Sequence, residues 1–345
     1  MVGTIEAAQR RILSAIQPSG GLTLGNYLGA VRSWVEPQRT APADERLYCV
    51  ADYHAITVPH EPAELRARAL GLVLDLLGCG IDAERSSIFL QSQVTEHTEL
   101  MWILASLTSF GEVGRMTQFK EKAARQASAT LGLFAYPVLM AADVLAYKAS
   151  RVPVGEDQLQ HLELARELAR RFNQRFGWTF PEPAPVLNRT PRIMSLADPT
   201  QKMSKSLGPK HYLGVFEDER SVRKKIRSAV TDVGGPHAGS SPGVENLFRL
   251  LAETAPAAQY ERLESARRDG SLRYADLKEA VAESVLAALA PMRERRARVT
   301  PSYARAALLQ GAARARAIAG ATLEEVRERI GILRVQPEAL APPQS

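Results

Sequence analysis

Apolar positions along the chain follow two different periods. Short apolar runs at 12–16, 47–51 and 87–91 are bounded by turn-forming residues and have the length of buried strands. Between the last two, Leu65, Ala69, Leu72, Val73, Leu76 and Leu77 recur at helical spacing. Pro62 suits a first helical turn, and Gly78 and Gly80 suit an end, so the pattern predicts a helix over 61–79. Strand, helix and strand in alternation predict an α/β fold with a doubly wound parallel sheet. Further on, 151–154 reads as a strand, with a long helix opening at 155–158, and 192–196 reads as another strand. The proline-rich stretch 177–191 reads as a loop. Residues 95–130 read as helical, strongly apolar over 100–110 and interrupted by Gly111 and Gly114; 131–148 reads as a buried helix.

From about residue 213 the strand pattern ceases. A basic helix is expected over 217–231, a Gly/Ser/Pro loop over 234–243, and helices with breaks from 244 to 330. The expected organisation is therefore a sheet domain over 1–206, a helical domain over 207–330 whose last helix can return to the sheet domain, and a tail over 331–345.

Composition adds little. With 345 residues, 45% hydrophobic and 24% charged, the chain is an ordinary soluble protein long enough for two domains. A net charge of +6 favours an anionic partner weakly. Cys49 and Cys79 are too few for a disulfide framework or a cysteine zinc site, and are read as reduced, buried thiols of a cytoplasmic protein. No signal peptide and no membrane span of about 20 apolar residues is expected.

Candidate chemistry lies at strand ends and loops. After the first strand, Gln17-Pro18-Ser19-Gly20-Gly21 leads into a helix opening at Thr23-Leu24-Gly25-Asn26. A glycine turn before a helix start can bring backbone N–H groups to a phosphate. It is neither a P-loop nor a dinucleotide fingerprint, and an ordinary strand-to-helix turn reads equally well. His54 follows the second strand, where it can serve a site or a structural hydrogen bond. Arg115, Gln118, Lys120 and Lys122 form either a solvated face or one facing phosphate or RNA. Tyr136, Met140 and Asp143 share one face of an apolar helix, where a carboxylate needs a Lys, an Arg, a backbone N–H or a ligand donor. Glu156 and Asp157 suit a helix start, and Gln158 can hold an amino-acid head group. Lys202-Met203-Ser204-Lys205-Ser206, followed by Gly208 and Pro209, is either a solvated basic turn or movable charge for a changing phosphate.

Taken in order, these motifs resemble a known family. Thr23-Leu24-Gly25-Asn26 is similar to a variant of the HIGH motif of class I aminoacyl-tRNA synthetases, and residues 202–206 match their KMSKS motif. The stretches 16–20, 25–27, 115–120, 140–143 and 154–158 resemble the bacterial tryptophanyl-tRNA synthetases in particular. The resemblance implies a Rossmann-like catalytic domain of the HUP type with a helical dimerisation insertion at about 95–150, and a helical anticodon-binding domain. It implies tryptophan, ATP carrying Mg2+, and the tryptophan tRNA as partners, a homodimer, and no metal site of the protein's own. Catalytic roles would fall to Lys202, Ser204, Lys205, Thr23 and Asn26. ATP would meet Gln17, Ser19, Gly25, Gln118, Lys122, Val152, Gly155, Glu156, Asp157, Met203 and Ser206 as well. Tryptophan would meet Asp143, Met140, Tyr136, Gln158, His54, Leu13 and Ala15. Tyrosyl-tRNA synthetase and a synthetase-like RNA-binding protein are the alternatives. The chain departs from the family at Leu207-Gly208-Pro209, where Asp-Pro-Asn is common, at Ala15, often glycine, and at Leu13, often phenylalanine.

Overall fold

The computed structural model describes residues 11–35, 38, 46–124, 129–187, 192–231 and 241–333. Five strands, β1 (Ile12–Ile16), β2 (Arg46–Val50), β3 (Ser87–Leu90), β4 (Arg151–Val154) and β5 (Ala184–Leu187), form one parallel sheet in the order β3-β2-β1-β4-β5. That is the doubly wound order, which reverses direction between β1 and β4. β1 pairs with β2 along its whole length, from Ile12↔Arg46 to Ile16↔Val50, but with β4 at Ile12↔Arg151. The C-terminal ends of β1 and β4 therefore face a crevice rather than each other.

The helices of the first half are α1, built from Leu24–Asn26, a wide turn Tyr27–Val31 and Arg32–Val35, then α2 (Pro62–Cys79) and α3 (Glu96–Ala105). α4 (Phe110–Gly114), α5 (Thr117–Ala123), α6 (Leu131–Ala146) and α7 (Leu159–Phe176) follow, and a single helical turn, Asp52–Ala55, carries His54. The second half contributes α8 (Glu219–Arg227), α9 (Pro242–Thr254), α10 (Ala257–Arg268), α11 (Tyr274–Arg298) and α12 (Pro301–Ile330).

Alternation along the strands divides the core. Tyr48, Val50 and Ile88 face one apolar cluster with α2, α9 and α11; Leu47, Cys49 and Phe89 face another with α3, α6 and α7. α12 belongs to both, through Ala304, Ala307 and Leu308 on one side and Ala312, Ala315, Ala319 and Leu323 on the other. It thereby covers the β3 edge, which would otherwise offer unpaired backbone groups. Contact is close because residue 311 is glycine: a Cβ there would fall 1.9 Å from the Ile88 carbonyl oxygen.

Several expected elements differ. The stretch 192–196 is not a strand; Met194 bridges to Lys202 in isolation. The Asn246 side chain takes the place of a neighbouring strand, accepting from Met194 N at 2.8 Å and donating to Met194 O at 2.9 Å. The supposed loop 177–191 contains β5. Its Pro185 lies on an edge strand, where a missing N–H is tolerated. The break expected at Gly111 and Gly114 falls earlier, because the Ser109–Glu112 capping box starts a new helix that contains both glycines. Gly78 lies inside α2, and Gly80, at φ 109°, ends it. The basic helix is shorter than expected, starting after its cap Asp218. Pro242 and Gly243 open α9 rather than closing a loop; the rest of that loop, from 234 to 240, and the tail beyond 333 lie outside the described residues. Both cysteines are free and buried, and burial pushes the Cys79 thiol up to about 12.

Candidate functional site

The crevice at the switch point is walled by two segments. On the β1 side, Thr23 caps α1: its hydroxyl accepts from Asn26 N at 3.1 Å, while Asn26 Oδ1 accepts from Thr23 N at 3.3 Å and from the Thr23 hydroxyl at 2.8 Å. The Asn26 oxygen is thus engaged, and its amide nitrogen is the group it can offer an anion. Gly20, at φ 105°, bends the preceding turn, and Gln17 and Ser19 are exposed on it. Ala15 is exposed although it sits mid-strand in the centre of the sheet. An uncovered central position marks the mouth of a pocket. Leu13, two residues earlier on the same face, is buried in the core beneath it.

The 202–206 loop lies across this turn. Met203 is buried and Met203 N donates to Ile193 O at 3.1 Å; a Cβ on Gly25 would be 3.6 Å from Met203 Sδ. The chain beyond the loop is anchored to the helix start by Leu24 N to Leu213 O at 2.7 Å and Val215 N to Leu22 O at 2.9 Å. Ser204 caps a tight turn at Lys205–Leu207, accepting from Ser206 N at 3.3 Å, and its hydroxyl lies 2.8 Å from that of Ser206. Gly208 then takes φ 107°, a conformation that residues with a Cβ rarely adopt. Lys205 Nζ reaches over to donate to Gly21 O at 2.9 Å. Burial, with Arg68 adding repulsion, lowers the pKa of this lysine, and Asp75 opposes the shift. Lys202 is exposed and its charge acts on Asp157, on the opposite wall.

That wall is the β4 side. Gln118 Nε2 donates to Asp157 O at 2.7 Å and to its carboxylate at 3.2 Å; Gln158 Nε2 donates to the same carboxylate at 2.9 Å. Burial alone would push the Asp157 carboxyl up, but the Gln158 hydrogen bond and Lys202 outweigh it and the net shift is downward. A Cβ on Gly155 would lie 2.6 Å from Asp157 Oδ1, so any larger residue there would push the Asp157 carboxylate out of its place. Glu156 is exposed, and Val152 is buried with its side chain in the core. Lys122 lies on α5, its side chain outside the described residues.

At the base stands Asp143, 3% exposed. Its partners are none of the lysine, arginine or backbone groups expected. Oδ1 accepts from Gln91 Nε2 at 2.7 Å and pairs with His97 Nδ1 at 2.5 Å, while Oδ2 pairs with His54 Nε2 at 2.7 Å. His97 Nε2 lies 2.6 Å from the Tyr147 hydroxyl, and Nδ1 is the nitrogen that donates to Asp143, because an ionised carboxylate only accepts. Burial opposes the ionised form of Asp143, yet the two histidines hold its carboxyl well below the ordinary value. A carboxylate offers about four acceptor positions. Two on Oδ1 and one on Oδ2 are filled, which leaves one on Oδ2. Tyr136 and His161 meet at 2.8 Å between hydroxyl and Nε2, and the Tyr136 ring stands edge-on to His54 at 6.2 Å. Met140 is partly exposed one turn from Asp143.

Gln91, His97, Tyr147 and His161 were not singled out in the sequence. Gln91 carried a usable signal, since it directly follows the third strand, where open α/β sheets bind ligands. Among the described residues, no group of His, Cys, Asp and Glu forms a metal-binding cluster, and no helix is long and apolar enough to cross a membrane.

Comparison with known proteins gives consistent matches. The model for the family "tRNA synthetases class I (W and Y)" matches residues 6–290. The chain is 45% identical over 333 residues to tryptophan–tRNA ligase 2 of Streptomyces avermitilis, covering 94% of this chain and 97% of that protein. It is 41% identical over 333 residues to the tryptophan–tRNA ligase of Helicobacter pylori, covering 94% and 99%. The tryptophanyl-tRNA synthetase of Campylobacter jejuni, solved with ADP and tryptophan, matches with a TM-score of 0.81 and 34% identity over 93% of this chain and 100% of that one. The tyrosyl-tRNA synthetase of Archaeoglobus fulgidus shares the fold, with a TM-score of 0.65 and 22% identity over 83% and 90%.

Proposed function

The chain belongs to the class I tRNA synthetases for tryptophan and tyrosine, and from that premise we propose how its crevice carries out the reaction. The activity is that of a tryptophan–tRNA ligase: ATP-dependent activation of tryptophan, then transfer of the tryptophanyl group to tRNA. In the first step a tryptophan carboxylate oxygen bonds to the α-phosphorus of ATP as the bond from that phosphorus to the pyrophosphate oxygen breaks. In the second, a hydroxyl of the terminal ribose takes the tryptophanyl group and AMP leaves. Neither step needs a covalent intermediate on the protein; both need positioning and charge.

ATP enters with Mg2+ carried by its phosphates. Thr23, Gly25 and Asn26, with Gln17 and Ser19 on the turn before them, meet its phosphates and sugar at the start of α1. Lys202 and Lys205, with Ser204 and Ser206, receive the growing charge of the pyrophosphate, and Met203 seats their loop. Gln118 and Lys122 hold phosphates from the α5 side. Gly155, Glu156 and Asp157, with the Val152 backbone behind them, line the ribose. The open position on Asp143 Oδ2 carries the assignment of the pocket: it accepts the indole N–H, with Met140, Ala15 and Leu13 around the ring, Tyr136 and Gln158 at the α-amino group, and His54 beside it. Charging of total tRNA with each amino acid in turn tests the whole reading. Tryptophan alone is expected to be attached; attachment of tyrosine, or adenylate formation without charging, would overturn it.

Residues 1–206 are the catalytic part in this reading, and 207–330 the part that reads the anticodon, in the cytoplasm. We assign the face formed by α3, α4 and α6 to a homodimer contact. Trp102, Phe110 and Leu131 stand 73%, 79% and 79% exposed there, and Phe110 stacks on Phe134 at 4.5 Å. Sedimentation should give a dimer of the wild type and a monomer of Trp102→Glu. A monomeric wild type rules the contact out.

A further inference from the structure

Asp75 has no part in the assignments above, yet it lies against the machinery. It sits on α2, 8% exposed. Two donors act on its carboxylate, which also lies against the glycine turn. Arg296 Nε of α11 donates to Oδ1 at 3.0 Å, the Leu22 backbone N–H donates from the glycine turn, and a Cβ on Gly21 would lie 3.8 Å from Oδ2. Gly21 is the residue whose carbonyl seats the Lys205 ammonium. One carboxylate thus touches the turn beneath the lysine and the helical half of the chain.

The approach of α11 is built into the sequence. At Gly78, one turn beyond Asp75, a Cβ would fall 2.8 Å from Arg296 Cβ. Next to it, Arg295 Nε donates to Gly78 O at 3.1 Å. Glycine inside α2 costs helix propensity and here lets the two helices close until Arg296 reaches Asp75. Around the turn, Arg68, itself paired with Glu64, acts against the Lys205 ammonium, and Asp75 acts for it. Burial pushes the Asp75 carboxyl up, while Arg296, the Leu22 N–H and Lys205 pull it down. A buried carboxylate kept at this cost, beside a turn where an apolar residue would fill the same space, calls for a role.

We propose that Asp75 is a positioning residue for Lys205: it anchors the glycine turn on which the ammonium rests and places a carboxylate against the other side of that turn. The inference rests on the assignment of Lys205 to the departing pyrophosphate. The test is a double-mutant cycle in tryptophan-dependent exchange of pyrophosphate into ATP. Asp75→Asn keeps the shape and removes the charge; kcat falls by roughly tenfold while both KM values stay within about twofold. In a Lys205→Ala background the same substitution changes kcat by less than about twofold, because the group it positions is gone. Arg296→Met, which breaks the ion pair but leaves the carboxylate beside the turn, costs less kcat than Asp75→Asn even if it lowers the melting temperature as far. An unchanged kcat in Asp75→Asn, an equal loss in both backgrounds, or an equal loss in Arg296→Met would reduce Asp75 to a packing partner of α11 and overturn the proposal. If Lys205→Ala alone leaves kcat intact, the Lys205 assignment falls and the proposal with it. A slow Lys205→Ala combined with an additive Asp75→Asn refutes the proposal alone.

Discussion

Lys205→Ala lowers kcat for tryptophan-dependent pyrophosphate exchange by about 10²- to 10³-fold, the loss typical of removing one preorganised donor to developing charge. The KM for ATP moves by less than about threefold. The split follows from what the lysine does before ATP arrives. Its ammonium rests on a neutral acceptor, Gly21 O, at 2.9 Å, in a position where burial and Arg68 disfavour the charged form. Contact with an ordinary phosphate oxygen replaces that acceptor with little net gain, so substrate binding depends on it weakly. Contact with the leaving pyrophosphate, whose charge grows as the bond to the α-phosphorus breaks, gains much more in a partly desolvated site. The interaction is therefore strongest in the transition state. Lys205→Arg should not restore the rate, because a planar guanidinium on a longer stem cannot take the place of a compact ammonium over the turn. Unchanged kcat with a raised KM for ATP would show that Lys205 binds ATP uniformly and has no special part in the chemistry.

The elements that organise this site were readable to different degrees, for physical reasons. β1, β2 and β3 were readable as short apolar runs because a central parallel strand is buried on both faces, α2 because its apolar positions keep helical spacing, and the Thr23 start of α1 because capping is a local matter of a hydroxyl and an amide. The stretch 192–196 was misread because an apolar run says how deeply a segment is buried and nothing about its partner; here the partner is the Asn246 side chain. β5 was missed for the opposite reason, since Pro185 and the prolines just before the strand look like loop and an edge strand tolerates Pro185. The Gly78 signal was assigned to a helix end, whereas its value is a close approach by α11, 217 residues further on in the chain as measured to Arg295. At the site, Asp143 could be picked out because a carboxylate on an apolar helical face is conspicuous. Of its partners, Gln91 was marked only by its place just after β3, and His97, on α3, by nothing; both meet Asp143 only after the sheet and helices have packed. A long-range hydrogen bond leaves no period and no spacing in the sequence.

Asp143→Asn lowers kcat/KM for tryptophan in the exchange reaction by at least about 10²-fold and reduces the preference for tryptophan over phenylalanine by a similar factor. The wild-type carboxylate has three of about four acceptor positions filled by Gln91, His97 and His54. Tryptophan fills the last with its indole N–H. Phenylalanine has no N–H to give and leaves a buried anion partly unsatisfied, which is why selection is strong. Asparagine replaces one carboxylate oxygen with an NH2 group. If that group turns toward the crevice, it meets the indole N–H donor to donor; if it turns inward, it meets His97 and Gln91 in the same way. Either orientation loses a hydrogen bond in the tryptophan complex, and neither penalises phenylalanine as the carboxylate did. The loss should fall on tryptophan, with kcat/KM for phenylalanine equal or higher. The melting temperature falls as well, because the histidines lose the anion that the folded protein keeps ionised below its usual range; assays are therefore run well below that temperature. A Tm change with no change in the tryptophan-to-phenylalanine ratio would confine Asp143 to the core and remove it from the pocket.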